Sequence, residues 1–437
     1  MTRTVTVVGG GLAGCEAAVQ LARRGHEVRL LEMRPVRTTP AHQTEGLGEL
    51  VCTNSFKSTD PANAHGQLKR EMEILDSLLL RVAGQARVPA GSALAVDRDL
   101  FSQGMTEAVS SHPGIEVVRE ERTELPQGPA IIATGPLTSH GLSVAIREGL
   151  GEEALSFFDA IAPIVHGDSL DREVVFQAGR FGEDSDYLNC PMNVEEYEAF
   201  LEGVKEGDLH VGHDFDDAPF FEGCLPIEVM ASRGDETLRF GPMKPIGLED
   251  PRTGVRPHAV VQLRREDRQG QMWNLVGFQT RMKVGEQARV FRLIPGLEDA
   301  EFLRWGSIHR NSYLNFPAAL TPWGSPPGRS DLLFAGQLTG VEGYTESASS
   351  GLLAALNLDR ILDGKEPALP PTTTMLGGLY RYLRESDPKR FPPMNSNWGL
   401  VDPLPGRIRD KMEKRAALAR RAQEDFAAWL GGERIPG

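Results

Sequence analysis

The feature that most constrains this chain is a glycine-rich turn close to its start. A short β-branched run, Val5 to Val8, ends in the sequence GGGLAG, and a helical pattern of apolar residues follows from Cys15 to Arg24. This is the order of a dinucleotide-binding unit: Gly9 permits the turn, Gly11 lets backbone amides approach a pyrophosphate, and Gly14 lets helix and strand pack closely. The first thirty residues therefore predict a strand, a tight turn and a helix around a phosphate site.

The end of the second predicted strand carries the carboxylate that a dinucleotide-binding site requires. The second predicted strand, Val28 to Leu31, ends at Glu32, about 20 residues past the glycine turn. An acid there accepts the ribose hydroxyls of an adenine dinucleotide and repels a 2′-phosphate. The glycine fingerprint alone is weak evidence, but strand, turn, helix, strand and acid in this order favour a dinucleotide site over a glycine turn that only packs.

A matching signal returns at the far end of the chain. The run Ala130 to Ala133 reads as a strand that ends in Thr134-Gly135, and a strand from Leu332 runs into Gly336-Gln337, with a helix predicted from Ala348 to Leu362. Two-segment FAD domains place amides beside the flavin in this way, so we predict FAD rather than NAD. Many FAD enzymes have Gly-Asp where this chain has Gly-Gln, so the ribityl contact is expected to be amide-based or to lie elsewhere. The predicted cofactor residues are Gly9, Gly10, Gly11, Leu12, Ala13, Gly14, Glu32, Thr134, Gly135, Gly336, Gln337 and Gly351.

The composition changes between these two segments. From about residue 151 to 326 the sequence consists of short strand-like runs, aromatic residues and Gly/Pro turns, which indicate an inserted α+β domain. The predicted fold class is α/β: a discontinuous, Rossmann-like FAD-binding domain with a parallel sheet, interrupted by the insert. The predicted divisions are residues 1–150, 151–326 and 327–437.

Charge and cysteine content exclude several classes of function. The net charge of −14 argues against non-specific polyanion binding. A helix is nevertheless predicted from Arg407 to Leu430, and between Arg407 and Arg421 it carries seven basic residues and two acidic ones. The four cysteines form no C-x-x-C pair, so neither a disulfide framework nor a metal site is predicted. No apolar run approaches the length of a membrane span and no signal region is recognisable, so we expect a cytoplasmic protein.

The segment after Glu32 is expected to be a long functional loop. Met33 to Gly66 is rich in Thr, Gly, His and Asn and shows no sustained periodicity, and it contains Cys52. A single helix is predicted next, from Gln67 to Ala83.

Four blocks of this sequence resemble a particular family: Val51 to Ser58, Asp186 to Met192, Gly306 to Asn311 and Gly340 to Gly351. In these blocks, and along essentially the whole chain, it is similar to the folate- and FAD-dependent tRNA (uracil-5-)-methyltransferases, the TrmFO family. The related GidA (MnmG) family shares the FAD domain but carries a large additional C-terminal helical domain, so the shorter family fits better.

The resemblance implies 5-methylation of the T-loop uridine of tRNA, with methylenetetrahydrofolate as the carbon donor and reduced FAD as the hydride donor. Uracil C5 is a poor nucleophile until a thiolate adds at C6. We assign Cys224, which follows Phe220 and Phe221, as that nucleophile, because the two aromatic rings offer stacking for a flipped-out base. Cys52, near Lys57, is assigned as the second thiol, although which thiol performs which step stays open. Cys15 and Cys190 are the weaker candidates.

The same resemblance implies a folate and substrate site. We expect His309 to stack on or bond to the pteridine, Arg310 to bind the folate glutamate carboxylate, and Arg281 and Lys283 to line the same site. NADPH or NADH is the expected reductant, and the basic C-terminal helix is expected to contact tRNA phosphates around the T-arm. The alternative for His309 is a polar group satisfied within the protein, and the alternative for Arg281, Lys283 and the basic helix is an ordinary solvated surface.

Three other functions remain open from sequence. One is a FAD-dependent NAD(P)H oxidoreductase acting on a small molecule, which leaves the basic helix without a role. The second is an RNA-binding module that uses FAD only structurally, and the third is a GidA-like wobble-uridine modification subunit. Three measurements distinguish these functions: the yellow flavin absorbance of the purified protein, its loss on addition of NADH or NADPH, and methyl transfer from labelled methylenetetrahydrofolate to tRNA.

Overall fold

The computed structural model describes residues 2–39, 42–51, 54–90, 92–151, 154–158, 162–180, 187–210, 225–265, 270–306, 311–406 and 408–431. The chain forms two compact units, one made of Met1–Phe157 and Asn311–Gly437, the other of Phe158–Arg310. The sequence placed these divisions after residues 150 and 326. Residues 311–326 fall in the first unit because Leu314 and Ala319 pack in its core with Phe334.

The described residues form helices and strands with the following bounds. The strands are β1 Thr4–Val8, β2 Glu27–Glu32, β3 Ser55–Ser58, β4 Arg87–Val88, β5 Ala93–Val96, β6 Ile115–Arg119, β7 Ala130–Ile132, β8 Leu155–Phe158, β9 Ile164–His166, β10 Phe176–Gln177, β11 Tyr187–Met192, β12 Ala259–Arg265, β13 Met272–Leu275, β14 Phe302–Arg304, β15 Asn311–Leu314 and β16 Leu332–Phe334. The helices are α1 Leu12–Arg23, α2 Ala64–Ile74, α3 Leu78–Gln85, α4 Arg98–Ser110, α5 His140–Leu150, α6 Val194–Glu206, α7 Ile227–Ser232, α8 Thr237–Phe240, α9 Val284–Val290, α10 Phe316–Ala319, α11 Tyr344–Leu362, α12 Met375–Glu385 and α13 Lys411–Leu430.

The first unit is built on a five-stranded parallel sheet. Its strand order is β16-β7-β1-β2-β6, and every neighbouring pair is parallel. Strand β1 lies at the centre of the sheet, between β7 and β2, and its apolar residues Val5, Val7 and Val8 are buried. Strand β16 comes from the far segment and pairs with β7, so the predicted α/β class with a discontinuous parallel sheet is confirmed.

One of the predicted helices is in fact two. The segment predicted as a helix from Gln67 to Ala83 contains α2 and α3, separated by a turn in which Asp76 has φ +52°. The buried carboxylate of Glu16 on α1 accepts hydrogen bonds from the backbone of Leu78 and Leu79 and from the hydroxyl of Ser77, at 2.8 to 3.0 Å. The side chain of Glu16, from a distant part of the chain, therefore caps the N-terminus of α3 and allows a second helix to begin where the apolar periodicity predicted one continuous helix.

Three further bounds differ from the sequence prediction. The loop predicted from Met33 to Gly66 contains β3 and the first residues of α2. Helix α11 begins at Tyr344 rather than Ala348, after Gly343 with φ +117°. Helix α13 begins at Lys411, because Asp410 caps it by accepting the backbone N–H of Glu413 at 2.7 Å.

The second unit is centred on a six-stranded sheet with the strand order β10-β11-β12-β13-β9-β14. Its neighbouring strands are antiparallel. Helices α6, α7 and α9 contribute Phe200, Ile227 and Val290 to the apolar core beside the sheet. This arrangement is that of the α+β insert predicted from the sequence.

Candidate cofactor site

A cleft opens at the carboxyl ends of the parallel strands in the first unit. It has an empty volume of about 1030 Å³ measured out to its open mouth. The loops that follow all five strands reach it, which is the position where open parallel sheets bind ligands. Its lining includes Gly9, Gly10, Gly11, Leu12, Ala13, Glu32, Met33, Arg34, His42, Glu49, Glu120, Glu121, Arg122, Thr134, Gly135, Gly336, Gln337, Tyr344 and Ser347.

The turn between β1 and α1 presents backbone to this cleft. Gly9 has φ +106°, and a Cβ there would lie 2.6 Å from the carbonyl oxygen of Ala133, so only glycine fits. Gly11 is the N-cap of α1, no side chain caps that helix, and a Cβ built on Gly11 would meet no atom within 4 Å. An uncapped helix N-terminus facing open space suits a pyrophosphate, so these residues fit a dinucleotide such as FAD.

Glu32 is held as an anion at the edge of the cleft. Its carboxylate accepts hydrogen bonds from the backbone N–H of Gly10 at 2.8 Å and of Arg34 at 3.0 Å, and from Arg34 Nε at 2.8 Å. Burial alone would raise the pKa of Glu32, but the bonds and charge of Arg34 with the Gly10 amide hold it below its ordinary value. These three bonds leave one of about four acceptor positions for a ribose hydroxyl.

Arg34 is positioned by a second carboxylate. Arg34 is 2% exposed, and its Nη1 donates to Glu49 at 2.9 Å and to the Thr44 carbonyl at 3.2 Å. Because two glutamates already neutralise this guanidinium, it is a poor receptor for a further phosphate. Together with Glu32 it favours an unphosphorylated ribose at this end of the cleft.

Two of the predicted cofactor residues have a packing role and do not line the cleft. A Cβ on Gly14 would lie 1.8 Å from the Gly9 carbonyl oxygen, and a Cβ on Gly351 would lie 2.1 Å from the Ala13 carbonyl oxygen. Gly14 therefore lets α1 approach β1, as its spacing predicted. Gly351 lets α11 approach α1, which corrects its assignment as a cofactor contact.

The turns after β7 and β16 form the opposite side of the cleft. Thr134 and Thr138 share a hydrogen bond of 2.6 Å between their hydroxyls, and Thr138 also donates to the Gly135 carbonyl at 3.0 Å. The backbone N–H of Gly336 donates to Ser350 Oγ at 2.6 Å. Since that amide is already engaged, Gln337 is the better candidate for a polar contact to a ligand on this side.

The start of α11 adds a buried charge that sequence reasoning missed. Glu346 is 1% exposed and accepts the backbone N–H of Ser396 at 3.0 Å, while its Oε1 lies 3.2 Å from His65 Nδ1. Burial opposes ionisation, but the His65 bond and the charge of Lys57 hold the Glu346 pKa well below its usual range. Burial also lowers the pKa of His65, so we assign a neutral ring that donates from Nδ1.

Other cleft residues were missed for a clear reason. Met33, Arg34 and Glu120 to Arg122 lie directly after β2 and β6, and Tyr344 and Ser347 lie in the first turn of α11. Their only sequence signal is a position just after a predicted strand or just before a helix. That signal has meaning only once the order of strands in the sheet is known.

Four of the predicted site residues lie outside the residues that the structure describes: Cys52, Cys224, His309 and Arg310. Lys283 belongs to the second unit, where its Nζ pairs with Asp208 at 3.2 Å on an exposed surface. Such exposed pairs contribute little.

Arg281 also belongs to the second unit. Its side chain is 20% exposed, and its Nε lies 3.4 Å from Glu228 Oε1. Unlike Lys283, it is therefore held by a buried carboxylate.

The two described cysteines have the environment of structural residues. Cys15 and Cys190 are both fully buried. Burial strongly raises the pKa of each thiol. Neither is poised to form a thiolate near neutral pH.

The fold and the cleft together define a class of protein. A parallel sheet completed by a distant segment, an uncapped glycine turn, and an ionised acid after the second strand are features of two-segment dinucleotide-binding proteins of the flavoprotein type. Among the described residues, no group of three or more His, Cys, Asp or Glu side chains has the arrangement of a metal site. No described helix is long and apolar enough to span a membrane.

Comparison with known proteins narrows the class to a family. The family model for "Glucose inhibited division protein A" matches residues 4–366. A methylenetetrahydrofolate--tRNA-(uracil-5-)-methyltransferase TrmFO from Geobacter sulfurreducens is 53% identical over 98% of this chain and 99% of its own length. The protein of the same name from Bacillus cereus is 51% identical over 97% of this chain and 98% of its own length.

A solved structure is similar in fold. GidA from Aquifex aeolicus, in its form I crystal, aligns with a TM-score of 0.50 and 17% identity, covering 99% of this chain and 77% of that one. The chain belongs to the glucose inhibited division protein A family, and within it to the TrmFO proteins. The resemblance inferred from the sequence blocks is confirmed.

Proposed function

We propose that this protein transfers a one-carbon unit from methylenetetrahydrofolate to C5 of the T-loop uridine of tRNA, with FAD as its flavin. The observation that carries the proposal is an identity of 51–53% to proteins named for this activity, over at least 97% of this chain. The cleft of the first unit supports it, because its glycine turn and Glu32 suit an adenine dinucleotide. The alternative functions lack comparable support.

The chemistry requires a thiolate. A cysteine sulfur forms a bond to uracil C6, and the displaced electron pair makes C5 nucleophilic toward the one-carbon unit of the folate. A base then removes the C5 proton, the C–N bond to the folate breaks, and an exocyclic methylene remains. When bound, reduced FAD would supply the hydride that converts this methylene to a methyl group, and loss of the thiolate restores the ring.

Two cysteines remain available for these steps. We assign Cys224 as the nucleophile at C6 and Cys52 as the second thiol that accepts a proton. Their selection is supported by elimination, because Cys15 and Cys190 are fully buried with raised pKa values. His309 and Arg310 are proposed to hold the folate.

Reduction of the flavin needs an external donor, which we propose to be NADPH or NADH. The acidic edge of the cleft does not choose between them, because Glu32 is assigned to the ribose of FAD. Anaerobic titration of the purified holoenzyme with each nucleotide, followed by the loss of flavin absorbance, compares them directly.

The basic C-terminal helix is proposed to bind tRNA phosphates. Helix α13 buries Leu418, Ala422 and Phe426, while Lys411 and Arg420 are exposed. Arg421 differs, because its Nη1 donates to the Pro403 carbonyl at 3.0 Å. Arg421 therefore anchors the helix, and the exposed basic residues carry the proposed phosphate contacts.

The decisive experiment supplies methylenetetrahydrofolate labelled in its one-carbon group to the holoenzyme with a tRNA transcript that lacks the T-loop methyl group. We expect label in 5-methyluridine, and none when the target uridine is replaced by cytidine. The Cys224→Ala variant is expected to keep its flavin spectrum and lose methylation. Retained methylation would show that the nucleophile is another residue, and label absent from wild-type tRNA would refute the proposed reaction.

A further inference from the structure

Part of the chain between β2 and β3 is tied to the glycine turn of the cofactor cleft. The backbone N–H of Gly48 donates to the Gly10 carbonyl at 2.9 Å. A Cβ built on Gly10 would lie 2.5 Å from Leu47 Cδ2, so Leu47 lies directly against the turn. The N–H of Gly10 donates to Glu32 at 2.8 Å. Both backbone groups of Gly10 are therefore engaged, one by the acid assigned to the ribose and the other by this segment.

Glu49 closes the same segment into a loop and joins it to Arg34. Its carboxylate accepts the backbone N–H of Gln43 at 2.8 Å and that of Thr44 at 3.2 Å, and also the Thr44 hydroxyl at 3.0 Å. A fourth bond comes from Arg34 Nη1 at 2.9 Å, while Arg34 Nε donates to Glu32 at 2.8 Å. One guanidinium therefore links the acid assigned to the ribose with the acid that organises this loop.

This chain of charged groups is shielded from water. The side chains of Arg34, Glu32 and Glu49 are 3%, 7% and 12% exposed. Burial opposes ionisation of Glu49, but the bonds from Gln43 and Thr44 hold its pKa below its ordinary value. Two anions therefore share one buried cation, and removing either anion leaves the guanidinium to the other.

Helix α4 holds the middle of the segment in place. Thr106 Oγ1 accepts the backbone N–H of Leu47 at 2.8 Å, and Ser102 Oγ donates to the Leu47 carbonyl at 3.1 Å. Gly48 has φ +64°, and a Cβ there would lie 3.0 Å from Met105, so the segment turns sharply where it meets α4. The segment thus contacts α4 on one side and the glycine turn on the other.

We propose that Glu49 is a positioning residue for the cofactor. Through Arg34 it keeps one oxygen of Glu32 open for the adenosine ribose, and the docking of residues 43–51 is thereby coupled to the binding of FAD. Without Glu49, the guanidinium has only Glu32 as an ion-pair partner in the described part of the chain. A two-pronged pair with both Glu32 oxygens then occupies the position that the ribose hydroxyl needs. Because such coupling is reciprocal, bound FAD in turn stabilises the docked segment.

The first test measures how strongly the full-length protein distinguishes FAD from its analogue built on 2′-deoxyadenosine. In wild type the missing hydroxyl should weaken binding about 10- to 100-fold, because a hydrogen bond to a charged group is lost. In Glu49→Gln the FAD affinity should fall, and the ratio of the two affinities should drop to about threefold or less. A general loss of stability weakens both ligands equally, so this ratio isolates the positioning role.

Asp331→Asn is the matched control for the first test. Asp331 also accepts a bond from an arginine, Arg329 Nε at 2.9 Å, but it directly precedes β16 and so lies at the opposite end of the sheet from the cleft. This variant should keep the wild-type ratio. An unchanged ratio in folded Glu49→Gln protein would overturn the proposal. An equal drop in Asp331→Asn would also overturn it, as would a wild type that binds both flavins equally.

The second test needs no variant and follows the segment itself. Amide hydrogen exchange of residues 43–51 is compared in the full-length apoprotein, with FAD, and with the deoxy analogue at equal occupancy. FAD should slow exchange at the Thr44 and Gly48 amides at least about 10-fold, and the analogue should slow it less, because it lacks the hydroxyl that Glu32 accepts. Exchange that is equally slow with and without FAD would refute the coupling, and equal slowing by both flavins would refute the route through Glu32.

Both tests measure flavin binding alone. The proposal rests on FAD as the cofactor and not on the identity of the methylated substrate. A wild type that fails to methylate tRNA would therefore refute the proposed function and leave the role of Glu49 standing.

Discussion

Replacing Gly11 by leucine should separate cofactor binding from folding. Gly11 has φ −79° and ψ −171°, an extended conformation that leucine adopts without strain. A Cβ at this position meets no protein atom within 4 Å, because it points into the cleft. The protein should therefore fold, while the leucine side chain occupies the space assigned to the pyrophosphate.

The size of the effect follows from the contacts that the pyrophosphate would lose. Hydrogen bonds to charged groups contribute about 1.5 to 3 kcal/mol each. Losing two of them at the N-terminus of α1 costs at least about 3 kcal/mol, or roughly a 100-fold weaker FAD affinity. At a free FAD concentration 100 times the wild-type Kd, binding adds about 2.7 kcal/mol to the free energy of unfolding, and the variant should gain only about 0.4 kcal/mol.

Urea unfolding of the apoprotein with and without FAD measures this difference. We expect the apo forms of wild type and Gly11→Leu to agree within about 1 kcal/mol, since the change affects only a helix cap. A matched control is Gly84→Leu, on the exposed surface of α3, where a Cβ also meets no atom within 4 Å. It should keep the full gain from FAD.

A contrasting variant is Gly14→Ala, whose Cβ would lie 1.8 Å from the Gly9 carbonyl oxygen. It should be destabilised whether or not FAD is present. Full flavin occupancy and an undiminished FAD gain in Gly11→Leu would refute the phosphate role of this turn.

Three further predictions concern charge. Glu32→Gln should lower the apoprotein's free energy of unfolding by about 1.5 to 3 kcal/mol near pH 7. Because the pKa of Glu32 is depressed, this contribution to stability is present above pH 4.5 and is lost as the pH falls further. Urea unfolding of wild type and variant at a series of pH values measures the loss. Burial raises the pKa of Glu71 to about 7, so wild type should lose stability as the pH rises from 4.5 to about 7. Glu71→Gln should flatten this dependence of the free energy of unfolding on pH. The same pH dependence in the variant as in wild type would contradict the raised pKa of Glu71. Replacing Lys411 and Arg420 together by alanine should reduce the salt dependence of tRNA binding by about one to two in log–log slope, whereas Arg421→Ala should chiefly lower stability.

Much of the cofactor site could be predicted because its signal is local. The turn, the helix after it and the acid after β2 lie within one stretch of chain, so their spacing encodes the turn and the charge. The backbone N–H of Gly10 donates to the Glu32 carboxylate at 2.8 Å, so the predicted turn and the predicted acid lie side by side in the structure. Gly351 was misassigned because a helical glycine has the same sequence appearance whether it faces a ligand or another helix.

Contacts between residues that are far apart in the chain could not be predicted from local sequence patterns. The break between α2 and α3 depends on Glu16, more than sixty residues earlier, which satisfies amides that a continuous helix would have paired internally. The pairing of Glu228 with Arg281 has the same character, since 53 residues separate the two. Periodicity within a window of about 18 residues cannot report such contacts.

The sequence by itself determined the dinucleotide turn, the acid beside it, the return of the sheet after an insert, and the family. Those properties depend on backbone freedom and on apolar spacing over a few consecutive residues. The tertiary structure decided which glycines pack and which face the cleft, which five loops meet there, and which carboxylate holds which arginine. These outcomes depend on the order of strands in the sheet and on buried charges finding partners, and both are set only when distant segments come together.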